Sequence, residues 1–366
     1  MLAGALALLA ACGSALPLPA GGSWPISTHR LAPADAPLAR LPVLPGVPTG
    51  RSGFRPLLLS SVAPDTRLAL IEQARTGLDL QTYLLGDDST GHQILRALRD
   101  AASCGVRVRL LINDLYTAGL TDLLLGLAAH PRVEVRLYIP FPQGRDSAWL
   151  RLGSLLGDFD RLNRRMHNKL LIADGHAAIV GGRNLADAYF MRSDDANFLD
   201  FDLLAVGAVA PVLAGHFDAF WNSRFAVPLQ ALADNALDAA QRRASFDRLS
   251  GSPPDSARHP ALPAPVRQAM QALGSVPLVV ADAQVLFESP DKTGGQLPGS
   301  TLLPVGFIDD RLLLVGSMNL DPRSATTNTE LALAIDSPAL VRLILGQFQK
   351  ALFRTLQMIT YDQFCH

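Results

Sequence analysis

Apolar and polar positions alternate along the chain in two periods. Asp65 to Thr76 reads as a helix capped by Asp65, with Gly77 at its left-handed C-terminal position. Leu78 to Leu85 is a largely apolar strand. A second helix follows a cap at Ser89 or Thr90; its Ile94, Leu95, Leu98, Ala101 and Ala102 keep helical spacing, and Gly105 stops it. Val106 to Ile112 and Val133 to Ile139 are further strands. Strand, helix and strand with short links predict an α/β fold with a partly parallel sheet under covering helices.

Ala148 to Arg165 is amphipathic, with Trp149, Leu152, Leu155, Leu156, Phe159 and Leu162 on its apolar stripe. A membrane-facing role and core packing both fit such a stripe, and core packing is the commoner use. Gln241 to Pro277 is rich in Pro, Ser, Ala and Arg and reads as a linker with one short helix. Met1 to Ala11 is an unbroken apolar or small run ending at Cys12. It is shorter than the roughly 20 residues a membrane span needs and fits the apolar region of an export signal, although no Lys or Arg precedes it. Gly13 to Pro56, rich in Pro, Gly, Ala and Ser, reads as a flexible tether.

The 366 residues are 49% hydrophobic and 18% charged, which excludes a disordered chain. A net charge of −1 weighs against a general nucleic-acid binder. Cys12, Cys104 and Cys365 form neither a disulfide framework nor a zinc pattern, and Cys104, at a helix end, reads as a small buried hydrophobe. No Gly-x-Ser-x-Gly elbow of a serine hydrolase occurs.

One stretch concentrates the chemistry. Residues 167 to 184 read His-Asn-Lys-Leu-Leu-Ile-Ala-Asp-Gly-His-Ala-Ala-Ile-Val-Gly-Gly-Arg-Asn. His167 and Lys169, two apart on a strand, share one face. Asp174 ends that strand, the chain turns near Gly175, where His176 reads as solvated, and the second strand runs into Gly181-Gly182. Small residues there admit close backbone approach to a ligand. A phosphate could then meet Lys169, Asn184 and backbone N–H groups together.

This stretch resembles the His-x-Lys-x4-Asp motif of the phospholipase D superfamily. Gly157-Asp158-Phe159 and Arg161 to Met166 lead into it as in the bacterial cardiolipin synthase branch. The resemblance implies a phospholipase D-like mixed sheet flanked by helices and a phosphohistidine intermediate on His167, or His167 as its acid partner. Lys169 and Asn184 would hold phosphate, Asp174 the local structure, and neither metal nor cofactor is implied. A carboxylate on the strand Asn197 to Val206 is expected behind His167, with Asp202 first and Asp200 second. Leu9-Ala10-Ala11-Cys12 resembles a bacterial lipobox; with Gly13 next, this implies Cys12 acylation and an outer-membrane anchor facing the periplasm.

A shift of 135 residues exposes a second copy. Asp174 aligns with Asp309, Gly181 with Gly316, Gly182 with Ser317 and Asn184 with Asn319, so Asn319 is a further phosphate-binding candidate. His167 falls on Leu302 and Lys169 on Pro304. Glu330 stands where a histidine-supporting carboxylate belongs and, on this reading, has no histidine to support. Val285 to Ser300 reads as a short loop in place of a second strand-helix-strand unit. The expected organisation is a signal segment 1–12, a tether 13–56, a first half 57–240, a linker 241–282 and a truncated second half 283–366.

The family mechanism uses two histidines. Three readings stand: an inactive chain, a homodimer sharing His167 across a two-fold axis, or another group replacing the second histidine. The implied substrate is an anionic phospholipid such as phosphatidylglycerol. The alternatives are a non-catalytic phospholipid-binding relic and a nuclease of the superfamily.

Overall fold

The computed structural model describes residues 24–41, 50–141, 149, 151, 153, 162–233, 236–251, 263–275, 277–294, 306–308, 310–318, 324 and 326–347. Cys12, Asp309 and Asn319, and most of the Ala148 to Arg165 stretch, lie outside them.

The fold is α/β, with one mixed sheet between layers of helix. Its strands are β1 (Ser52–Leu57), β2 (Gly77–Thr82), β3 (Arg107–Asn113), β4 (Val133–Tyr138), β5 (Leu170–Ala173), β6 (Ala177–Gly181), β7 (Asp202–Gly207), β8 (Ala226–Pro228), β9 (Val279–Phe287), β10 (Gly306–Ile308), β11 (Leu312–Gly316) and β12 (Leu331–Asp336). Among the described residues their order is β10-β11-β12-β9-β1-β7-β6-β5-β2-β3-β4-β8. Of these described strands, only β2–β3 and β3–β4 pair in parallel. Those pairs are joined through α2 (Ser89–Ser103) and α3 (Thr121–Ala128), the crossover that parallel strands require.

Each face of the sheet has its own core. On one side Leu78, Leu80, Val108 and Leu110 meet α1 (Val62–Gln73), α2 and α3, joined by Phe246 of α5 (Ala239–Leu249) and Leu273 of α6 (Ala264–Ser275). On the other, Leu170, Ile172, Val180 and Leu203 meet α4 (Val209–Trp221) and the apolar residues of β11 and β12.

Several expectations need correction. The segment read as a tether contains β1, which lies between β7 and β9 in mid-sheet. Residues 24–41 also dock. Ser27 and Asn222 exchange hydrogen bonds of 3.0 and 2.9 Å, and Arg136 and Arg109 donate to the Pro25 and Ser27 carbonyls. Leu38 and Leu41 are buried. The linker holds α6 and all but the first two residues of α5, and β9 begins before its end. The expected loop from Val285 starts as the last part of β9.

Local signals were also read a few residues off. Gly77 is the first residue of β2, because α1 stops earlier, at an extended Ala74. Asp88 rather than Ser89 or Thr90 caps α2, accepting the Gly91 N–H at 2.9 Å. β2 ends at Thr82 and β7 starts at Asp202, so Asp200 precedes the strand. Cys104 is exposed. Trp149, expected in the core, is 82% exposed. His176 is half-buried, its Nε2 2.9 Å from the Ala32 carbonyl.

Two predictions follow from this packing. Deleting residues 1–23 leaves a folded protein, whereas deleting residues 1–56 removes β1 and abolishes the cooperative thermal transition seen by circular dichroism. Burial lowers the His216 imidazole of α4 to about 3. The unfolded chain therefore binds the extra proton between the ordinary histidine value and about 3, so stability is full above that window and falls with pH through it. The slope contributed is at most about 1.4 kcal/mol per pH unit. Urea melts of His216→Gln from pH 7 to 4 should show a shallower acid loss than the parent.

Candidate active site

The site lies where β2, β3 and β4 end and β5 begins, the end at which open α/β sheets bind ligands. His167, Asn168 and Lys169 lead into β5 in extended form, so their side chains alternate. Asn168 turns inward, its Nδ2 3.1 Å from His216 Nε2. His167 and Lys169 face the other way; both are buried.

His167 is held by the second half of the chain. Its N–H donates to the Thr329 carbonyl at 3.0 Å, and the Thr329 N–H donates back to Arg165 at 2.7 Å. Its Nδ1 lies 3.1 Å from Glu330 Oε2. The same oxygen accepts the Ser317 hydroxyl at 2.5 Å, and Ser317 Oγ accepts the Leu331 N–H. Behind Glu330, its own N–H donates to Glu288 Oε2 at 3.0 Å, and both Glu288 oxygens lie 2.8 Å from Lys292 Nζ.

The expected support of His167 by Asp202 is therefore corrected: Glu330 supplies the carboxylate. Asp202 is committed to two buried arginines, Arg67 at 2.9 Å and Arg183 at 3.1 Å. It lies at the start of β7, opposite Gly181 of β6 rather than beside the histidine. Asp200 precedes that strand, and burial and the neighbouring Asp202 raise its carboxyl to about 6.

Burial, and then the Lys169 charge, lower the His167 imidazole, while Glu330 opposes both. A carboxylate acceptor places the ring proton on Nδ1 and leaves the lone pair on Nε2, the arrangement a nitrogen nucleophile needs. Burial lowers the Lys169 ammonium to about 8 against the pull of Glu330, Asp200 and Asp202. Its Nζ donates to the His167 carbonyl at 2.7 Å and sits 5.3 Å over the Tyr83 ring. It makes no ion pair among the described residues, so its charge faces the site without a carboxylate partner. Tyr83 packs edge-on against His167, centroids 4.7 Å apart.

The other candidates act on the backbone. Asp174, at φ 57°, accepts the N–H groups of Arg75, Thr76 and Gly77 and locks the hairpin turn to the start of β2. Asn184 Oδ1 accepts the Leu84 N–H at 3.1 Å, which fixes its amide beside Tyr83. A side chain at Gly181 would overlap Asp202 and Phe201, and one at Gly182 would overlap the Asp200 carboxylate. The glycines are thus required by close packing with Asp200, Phe201 and Asp202 at the entry to β7.

Sequence reasoning missed Tyr83, Glu288, Lys292 and the role of Ser317. One signal was available: the chain holds only three lysines, Lys169, Lys292 and Lys350. Against that scarcity a lysine in an expected loop stands out.

A family model described as "Cardiolipin synthase, PLD-like domain" matches residues 68–221 and 305–352. The chain belongs to the cardiolipin synthase, phospholipase D-like family. It is 37% identical over 272 residues to Cardiolipin synthase C of Escherichia coli K12, covering 71% of this chain and 54% of that one. It is 27% identical over 308 residues to Cardiolipin synthase B of Salmonella typhi, covering 72% of each. An uncharacterized protein of Helicobacter pylori 26695 matches at 36% over 167 residues, 45% of this chain and 33% of that one. The chain thus spans a third to about half of the length of some relatives it matches. Among solved structures, the phosphatidylserine synthase of Haemophilus influenzae Rd KW20 aligns with TM-score 0.47 and 13% identity, over 82% of this chain and 86% of that one.

The two carboxylate assignments are separable by experiment. Glu330→Gln should lower the His167 titration further, because the charge that favours imidazolium is gone, as read by ring NMR shifts. Asp202→Asn should leave that titration in place but cost about 3–5 kcal/mol of stability by stranding two buried arginines. The reverse pattern would return the supporting role to Asp202.

Proposed function

We propose that this chain is a phosphatidyltransferase or phosphodiesterase acting on an anionic phospholipid such as phosphatidylglycerol through His167. The observation that carries the reading is the His167–Glu330 contact. A buried, carboxylate-oriented imidazole beside a buried ammonium is costly to fold, and it suits covalent attack on a phosphodiester. In the proposed step Nε2 of His167 bonds to phosphorus while the bond to the departing alcohol oxygen breaks. Lys169 offsets charge on the non-bridging oxygens. The phosphoryl group then passes to an acceptor hydroxyl or to water.

Leu302 and Pro304 stand at the positions of the second motif's histidine and lysine, so the leaving oxygen takes its proton from another source. Loss of general acid help lowers the rate by about 10²–10⁴. The same substitutions favour a second reading, a phospholipid-binding site without turnover. A homodimer would be a further source of the missing histidine, and sedimentation of the active species tests it. We also propose that Cys12 acylation tethers the chain to the cell envelope; labelled palmitate fed to cells should enter the parent chain and not Cys12→Ser.

Incubation of the chain lacking residues 1–22 with phosphatidylglycerol vesicles tests the reading. The expected result is slow turnover and an acid-labile phosphoryl adduct, both absent in His167→Ala. Equal turnover in that variant would overturn the assignment. Lipid binding without adduct would favour the second reading, and cleavage of a simple phosphodiester but not of lipid would favour a nuclease.

A further inference from the structure

The end of the sheet that carries His167 also carries much of the chain's exposed apolar surface. Leu59 follows β1 and is 64% exposed; Leu199, before β7, is 91% exposed. Phe198 and Met191, in the loop between β6 and β7, are 53% and 51% exposed, Tyr116 after β3 is 48% exposed, and Trp149 after β4 is 82% exposed. Strand direction places the first five at one end, and Arg151, which donates to the Asp114 and Leu115 carbonyls just past β3, brings Trp149 to the same end. β2, β3 and β4 finish there and β5 starts there. β6 runs back to that end, β7 leaves from it, and β1, antiparallel to β7, arrives at it.

In sheet order, Leu59, Leu199 and Met191 stand on the β1, β7 and β6 side of His167, and Tyr116 and Trp149 on the β3 and β4 side. The apolar groups therefore bracket the nucleophile. The rim is also held in place. Phe198 stacks on Tyr189 at 4.9 Å, and its N–H donates to the Ala188 carbonyl at 2.8 Å. Tyr116 sits in a turn where Asn113 Oδ1 accepts the Leu115 N–H and Asp114 accepts the Phe141 N–H. Exposed large apolar groups on ordered loops mark a contact surface.

We propose that this rim is a membrane-docking surface that inserts into the interfacial region of a phospholipid bilayer and presents His167 to lipid headgroups. The choice of bilayer as occupant rests on the phospholipid reading above. Three further features favour it. Trp and Tyr are side chains suited to the membrane–water boundary. The apolar groups sit at loop tips rather than in one groove, so a plane meets them better than a helix would. Exposed Arg192, Asp194 and Asp195 in the same loop leave it with one net negative charge, so the attraction comes from apolar burial and not from charge.

The test uses full-length chain carrying Cys12→Ser, so that no acyl anchor contributes. Partition onto extruded phosphatidylcholine vesicles is measured by sedimentation at 0.1 and 0.5 M NaCl. The proposal expects binding that is indifferent to salt and equal in His167→Ala. Trp149→Ser, and Phe198→Ser with Leu199→Ser, should each lower the partition coefficient about tenfold with the melting temperature unchanged. Brominated phosphatidylcholine should quench emission that is absent from the Trp149→Ser variant. Absence of vesicle binding, binding abolished by 0.5 M NaCl, or unchanged partition in the folded variants would overturn the proposal. Turnover of phosphatidylglycerol reports separately on the functional reading: vesicle binding without turnover sinks that reading and leaves the rim intact.

Discussion

The contact between His167 and Glu330 joins residues 163 apart and sets the terms for the rest of the site. A fully buried carboxylate is tolerated only when its charge is met by donors. Here His167 and Ser317 meet one oxygen of Glu330, while Glu288 and Lys292 form a second buried pair behind its backbone. The strands β9, β11 and β12 and their connections therefore have a definite physical task. They close the back of His167 and fix which ring nitrogen carries the proton.

The first half is braced by two other carboxylates, each doing backbone or framework work. Asp174 ties the β5–β6 turn to the entry of β2, and Asp202 ties α1, through Arg67, to the Gly-Gly-Arg corner, through Arg183. These braces flank β5, into which Lys169 leads. They explain how an ammonium with no carboxylate partner among the described residues is kept in place: its surroundings are braced, and its bond is to the His167 carbonyl two residues back.

Where the chain reports on its neighbours in sequence, the sequence was informative. α2, β3, β4 and the β5–β6 hairpin were legible because each buries a face whose period shows within a dozen residues, and the motif marked His167 and Lys169. β1 was not legible. Ser-Gly-Phe-Arg-Pro-Leu carries little pattern of its own, and its place comes from ladders to β7 and β9, far away in the chain. The same holds for Glu330, whose partner is set by how two halves close. Asp202 was the nearer carboxylate in sequence, and proximity along the chain misled; its charge belongs to Arg67 and Arg183. α5 and α6 hid in a stretch whose Pro and Ser content resembles a linker.

The docking of residues 24–41 has a practical side. His29 contacts Asp218 at 2.8 Å, and the Ala32 N–H donates to the Asp174 carbonyl at the hairpin turn, on the far side of the sheet from His167. A six-residue strand is about 20 Å long. A purification handle, fluorophore or display scaffold fused ahead of residue 24 would join the molecule at the foot of its sheet, a strand's length from His167. Immobilising the chain by that end would present the His167 end of the sheet outward.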